Sequence, residues 1–295
     1  AIGGLWAFRL LSTGCNVTLI GRSSSLESMQ RLCLVEAGQK TCHDFPVRPP
    51  HTHQPLPILL ITTKAGDTAT ALTPLLDDLH PGNIVVLLQN GMGVDEWVKQ
   101  QRPDLFIVTG ITTDGVFRED RQTLVLAGNG KTLLGGETPE EQQLAQRVAG
   151  QWQASGADVE AVPDIRLRRW QKLAINCAIN PLTALLRCRN GELEHHADAL
   201  ATMRSLCAEV AATMQAEGLP ANGDELFENA CRVARQTAAN TSSMLADVMA
   251  GRPTEIEFMN AHVARVALRH GIPAPTNQAI TQAVRALHPA PDPAV

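Results

Sequence analysis

Short, continuously apolar runs occur only in the first half of this chain, and that asymmetry limits the fold more than any other feature. Residues 57–62 (Pro-Ile-Leu-Leu-Ile-Thr), 83–88 (Asn-Ile-Val-Val-Leu-Leu) and 105–109 (Leu-Phe-Ile-Val-Thr) have the length and pattern of strands buried on both faces. The intervening stretches 65–79 and 94–101 carry helical periodicity, so the first half reads as a doubly wound α/β domain. Residues 5–12 read as an amphipathic helix ending at Gly14, and 16–21 as a strand. Strands at 123–126 and 131–134 flank Asn129-Gly130, which predicts an antiparallel hairpin closing the sheet. A helix over 140–152 follows. From Asp164 onward strand patterns vanish, and 165–186, 198–217, 223–252 and 254–270 all read as helices. With 295 residues the chain can hold two cores, and the boundary is expected near Pro163: 1–163 as a Rossmann-type dinucleotide domain, 164–295 as an all-α domain.

A net charge of -5, with Lys and Arg spread along the chain, lacks the footprint of a nucleic-acid binder. No apolar run reaches the roughly 18 residues of a membrane span, so the expected partner is a small molecule, neither nucleic acid nor membrane. The seven cysteines are odd in number and contain no C-x-x-C, which predicts reduced thiols in a cytoplasm, no disulfide framework and no zinc site. Residues 45–57 are Pro-rich and read as an exposed loop, and its His51 and His53 lack the further ligands a metal needs. Tyr is absent, which removes a Tyr acid from the chemistry.

Within residues 165–186, Lys172, Asn176 and Asn180 fall at i, i+4 and i+8 and stack on one helix face. Leu173, Ile175, Cys177, Ala178 and Ile179 fill the remaining surface and predict burial. A buried ammonium and buried amides need partners or cost several kcal/mol. Either an internal network or a polar ligand supplies them, and the length and charge of the stripe favour a substrate clamp. Pro181 is expected to bend or break the helix just after Asn180. Arg166, Arg168 and Arg169 point away from the stripe and read as a solvated face or a domain contact.

The chain opens without Met at Ala1-Ile2-Gly3-Gly4, already in helical pattern, and the next strand ends at Gly21-Arg22-Ser23. That order is expected of a dinucleotide fold whose first strand and first two glycines lie upstream, with Gly3 as the third glycine. Arg22 with Ser23 at the tip of the second strand suits a ribose 2′-phosphate, which favours NADP over NAD. Lys64 and Asn90-Gly91-Met92-Gly93 lie just past predicted strands, where open α/β sheets bind ligands.

Taken together, Gln89-Asn90-Gly91-Met92-Gly93, the run from Lys172 to Ala184, Asn190-Gly191-Glu192-Leu193, Asn240-Thr241-Ser242-Ser243-Met244-Leu245 and Thr254-Glu255-Ile256 closely resemble ketopantoate reductases (2-dehydropantoate 2-reductases) in order and spacing. The resemblance extends from residue 1 to about Pro275. It implies reduction of ketopantoate to pantoate with NADPH, a step of pantothenate and so coenzyme A synthesis. By motif it implies Lys172 as catalytic acid, with Glu255 orienting it and contacting the cofactor. Asn176, Asn180, Asn190, Asn240 and Ser243 would hold the substrate carboxylate and hydroxyl, and Asn90 would lie beside both the substrate and the nicotinamide ribose. Ala1, Ile2, Gly3, Arg22 and Lys64 would line the dinucleotide, and Val116 would add a backbone contact. A monomer or homodimer is expected.

These residue types suit the chemistry. Hydride addition to a ketone builds negative charge on oxygen, which an ammonium can neutralise and protonate. Desolvation should lower the pKa of Lys172 and Glu255 should raise it, while the amides fix a carboxylate without adding charge. Two alternatives share part of the pattern. The β-hydroxyacid-type dehydrogenases also join such domains and place Asn four residues after a Lys, but Asn180-Pro181 and residues 240–243 favour ketopantoate reductase. A non-catalytic NADP-sensing module would not need the complete catalytic set.

Overall fold

The computed structural model describes residues 1–21, 29–50 and 56–287. Within them the chain forms two compact units: residues 1–89 with 94–166, and residues 90–93 with 167 onward.

The first unit opens on helix α1 (Ile2–Ser12). Its strands are β1 (Leu19–Ile20), β2 (Met29–Glu36), β3 (Gln39–Arg48), β4 (Ile58–Ile61), β5 (Ile84–Leu87), β6 (Phe106–Thr112), β7 (Gly115–Arg118), β8 (Thr123–Gly128), β9 (Lys131–Gly135) and β10 (Asp158–Ala161). They form two sheets, ordered β1-β3-β2-β8-β7 and β10-β9-β6-β5-β4. In the second, β4, β5 and β6 are parallel, as their continuously apolar sequences predict. Helix α1 serves a core in each: Leu5 packs with Leu34 and Leu124, while Trp6 joins Val86, Val108 and Leu134 and stacks on Trp152. Two glycines allow that double contact. A Cβ on Gly3 would sit 2.3 Å from Thr62 Oγ1, and one on Gly4 the same distance from Leu124 Cδ1.

The crossovers differ from their sequence pattern in detail. Residues 65–79 form a 3₁₀ turn (Ala65–Asp67), a short helix α2 (Thr68–Leu72) and a second 3₁₀ turn (Thr73–Asp78) in place of one helix. Pro74 lacks the N–H that an uninterrupted helix would use there. Helix α3 (Val94–Gln101) is as expected, and α4 (Pro139–Gln153) begins on a capping box between Thr138 and Glu141.

Three further expectations are corrected. Strands β8 and β9 do not form a hairpin, because they belong to different sheets. The Asp114 carboxylate accepts from Gly130 N and from Arg9, Thr113 N donates to Lys131 O, and Asn129-Gly130 thereby becomes a crossing between sheets. Residues 45–48 are not loop: Phe45 is fully buried in β3, and Pro46 pairs with Met29 at the end of β2, where a missing donor is tolerated. Residues 51–55, with His51 and His53, lie outside the described residues. Finally, Cys33 and Cys42 face each other in the β2–β3 ladder and form a disulfide, so the thiols are not all reduced and the thiol argument for a cytoplasmic protein falls.

The second unit is helical: α5 (Ile165–Leu186), α6 (Ala197–Ala216), α7 (Gly223–Gln236), α8 (Ser243–Met249), α9 (Asn260–Arg269) and α10 (Pro275–Ala286), with 3₁₀ turns at Asn190–His195 and Ile256–Phe258. Leu173, Cys177, Met203, Leu206, Val210, Val263 and Val266 lie in its core. The stretch 223–252 is two helices, not one, because Ser242 caps a new start by accepting from Leu245 N. Helix α5 runs through Pro181 to Leu186, so of the expected bend or break the break does not occur. Among the described residues, no helix is long and apolar enough to cross a membrane.

Candidate active site

The stripe on α5 becomes more buried along its length: Lys172 and Asn176 are half-buried and Asn180 is buried. Lys172 Nζ donates to Asn90 Oδ1 at 3.1 Å. Asn90 reaches it because the turn 90–93 belongs to the helical unit although it directly follows β5 and Leu88-Gln89. Gly91 and Gly93 hold φ of 81° and 97° in that turn. A Cβ on Gly91 would come within 2.5 Å of Phe258 O, so only glycine lets the turn seat there. Met92 N donates to Phe258 O at 2.9 Å, and the Met92 side chain enters the helical core.

The same short segment supplies the charge opposite the lysine. Glu255 is buried at the start of the turn Ile256–Phe258, whose last carbonyl anchors Met92. Burial strips water from the Lys172 ammonium and lowers its pKa to about 8, while the Glu255 carboxylate pulls it back up without cancelling the loss. The result is a lysine still charged at neutral pH that gives up a proton more readily than a free one.

The remaining polar residues are held in two groups. Asn190 N donates to Asn240 O at 3.1 Å, and Asn190 Nδ2 to Thr237 Oγ1 at 2.9 Å, which ties the turn after α5 to the end of α7. Asn190 Oδ1 is buried with no partner among the described residues. Among the described residues, Asn180 Nδ2 makes only a long contact, 4.0 Å, to Met259 Sδ. Asn240 and Ser243 are exposed. Ser242, overlooked in the sequence, fixes their segment: its Oγ caps α8 and accepts from Thr183 Oγ1 of α5 at 2.7 Å. The signal was present as a Ser immediately before a helical run. Arg169 is buried, so it is not part of a solvated face.

In the first unit, residues expected along a dinucleotide lie at the start of α1 and past β4. Ala1 and Gly3 begin α1, and the close contact of Gly3 with Thr62 is what a third fingerprint glycine provides. Lys64 precedes the 3₁₀ turn at Ala65. Gln89, quoted for its neighbours but given no role from the sequence, pins this corner: its Nε2 donates to Thr63 O at 2.9 Å and to Thr68 Oγ1. Gln89 Oε1 is buried with no partner among the described residues. The glycine-tight helix start, a lysine and an orphaned acceptor at the carboxyl ends of parallel strands fit a dinucleotide. Val116 lies in β7, its side chain against Leu5, Leu34 and Leu124. Arg22 lies outside the described residues.

The family profile described as "Ketopantoate reductase PanE/ApbA" matches residues 1–138, and that for "Ketopantoate reductase PanE/ApbA C terminal" matches residues 164–288. The chain belongs to the ketopantoate reductase family. A 2-dehydropantoate 2-reductase of Vibrio cholerae is 33% identical over 97% of this chain and 95% of its own length. One from Salmonella typhimurium is 36% identical over 77% of this chain and 73% of its own length. The fold is that of solved family structures such as 2-dehydropantoate 2-reductase from Geobacter metallireducens, with TM-score 0.85 at 21% identity over 97% and 96% of the two chains. It is shared with D-mandelate dehydrogenase solved with NADH and anilino(oxo)acetate, TM-score 0.89 at 20% identity over 98% and 96%. Its membership makes this chain an oxidoreductase.

Proposed function

We propose that the chain reduces 2-dehydropantoate to pantoate with NADPH, in the pathway to pantothenate and coenzyme A. The observation that carries the reading is the pairing of Lys172 Nζ with Asn90 Oδ1 under the field of buried Glu255, within a chain of this family. Bound NADPH supplies the hydride to the substrate's 2-oxo carbon. Lys172 donates the proton to the oxygen on which charge builds. Asn90 holds one of its three N–H groups and so directs the others. Asn176, Asn180, Asn190, Asn240 and Ser243 are assigned to the substrate carboxylate and hydroxyl, to which they offer donors without adding cations. The orphaned Oδ1 of buried Asn190 supports a ligand hydroxyl there.

Glu255, Asn90, Ala1, Ile2, Gly3, Lys64, the Val116 backbone and Arg22 are assigned to the cofactor. Arg22 carries the preference for NADPH, through charge-assisted bonds to the 2′-phosphate. The test is turnover of ketopantoate against β-hydroxy acids and against a bulky aromatic 2-oxo acid, each with NADPH and NADH. Ketopantoate with NADPH is expected to give the highest kcat/KM, and Lys172→Ala to lower it by several orders of magnitude. Turnover of the hydroxy acids alone, or a Lys172→Ala variant at full rate, would overturn the assignment.

A further inference from the structure

Pro181 creates a debt in α5 that a residue outside the proposed reaction settles. A proline inside a helix has no N–H for the carbonyl four residues back, here Cys177 O, and such positions usually kink. Asn260, the first residue of α9, is wholly buried, and its Nδ2 donates to Cys177 O at 3.1 Å. The same Nδ2 donates to Asn277 Oδ1 at 3.0 Å, and Asn277 Nδ2 in turn donates to Glu209 Oε2 at 2.8 Å. Two acceptor oxygens at one nitrogen fix the amide's orientation, since the flipped form would set oxygen against oxygen. Asn260 Oδ1 is left buried with no partner among the described residues. The site thus forgoes one acceptor's hydrogen bond to keep this donor on the helix carbonyl.

The location matters because Cys177 and Pro181 directly follow Asn176 and Asn180. The two amides share a face only if α5 keeps its pitch between them. We infer that Asn260 is a positioning residue of the ketopantoate site, holding Asn176 and Asn180 in register by replacing the helix hydrogen bond that Pro181 removes. It acts through α5 and touches no reacting atom. The kinetic part of this inference rests on the function proposed above, but the structural part does not.

The experiment is a double-mutant cycle in the full chain: Asn260→Ala, Pro181→Ala and both together. KM and kcat for ketopantoate, Kd for NADPH and Tm are measured for each. Alanine at 181 restores the backbone donor to Cys177 O, so the need for Asn260 disappears. The loss of the Asn277 contact is common to both backgrounds and cancels. Asn260→Ala is expected to raise KM for ketopantoate about tenfold, with NADPH Kd within about twofold of the parent. In the Pro181→Ala background the same substitution should raise KM less than about threefold, with a correspondingly smaller fall in Tm. Equal effects in both backgrounds, or a loss confined to NADPH binding, would overturn the inference. Should Asn260→Ala not fold, Asn260→Ser keeps a hydroxyl for Asn277 and is judged by the same two outcomes. A parent protein that does not turn over ketopantoate would refute the proposed function, while the Tm cycle would still decide the role of Asn260.

Discussion

The lowered pKa of Lys172 makes the reaction's pH dependence a direct probe of the site. With a pKa of about 8, the ammonium is roughly nine-tenths populated at pH 7 and one-tenth at pH 9. If Lys172 is the proton donor, kcat/KM for ketopantoate reduction should fall about tenfold across that interval. Oxidation of pantoate needs the neutral amine as base, so its kcat/KM should rise over the same range. The perturbation that isolates the cause is Glu255→Gln, which keeps the side chain's shape and removes its charge. Because the carboxylate raises the lysine pKa while burial lowers it, its removal must move the break to lower pH. The assay is initial NADPH oxidation at constant ionic strength from pH 6 to 10. A profile flat to pH 10, or a break in Glu255→Gln that moves upward, would refute the reasoning.

Other perturbations read separate parts of the molecule. Gly91→Ala puts a Cβ 2.5 Å from Phe258 O at a φ of 81°, so a loss of about 1–3 kcal/mol is expected in denaturant unfolding, together with a raised KM as Asn90 is displaced. Reducing Cys33–Cys42, which are nine residues apart in sequence, should lower stability by about 2–3 kcal/mol; thermal melts with and without reductant test this, and the Cys33→Ser/Cys42→Ser double variant should ignore the reductant. Asp78→Ala leaves the buried Arg48 guanidinium without the carboxylate 3.2 Å away and should cost about 3–5 kcal/mol, measured by urea unfolding.

Much of the architecture is legible in the residues. Runs such as Ile84–Leu87 announce parallel strands because both faces are buried, and Thr138 with Glu141 marks a helix start chemically. The β2–β3 hairpin was hidden because its turn is Ala37-Gly38, with Ala37 at a φ of 48°, instead of the Asn-Gly or Asp-Gly that usually signals such a bend. Asn129-Gly130 misled for the opposite reason: the local signal was strong, but the acceptor that claims Gly130 N, Asp114, lies on another strand connection. In the site, the Lys172 stripe showed itself through helical spacing. Asn260 did not, because the demand it meets is a missing N–H on a distant helix, and no periodicity records that.

The turn 90–93 has a practical consequence for dissecting the molecule. A fragment starting at residue 167 would carry α5 from Leu167 and all of α6 to α10, but not Asn90 or Met92. Phe258 O would then lose its donor, Lys172 its amide partner, and the helical core one of its side chains. Complementation of such a fragment should therefore depend on supplying four residues in trans, and a helical half prepared alone would be a poor stand-in for the intact catalytic unit.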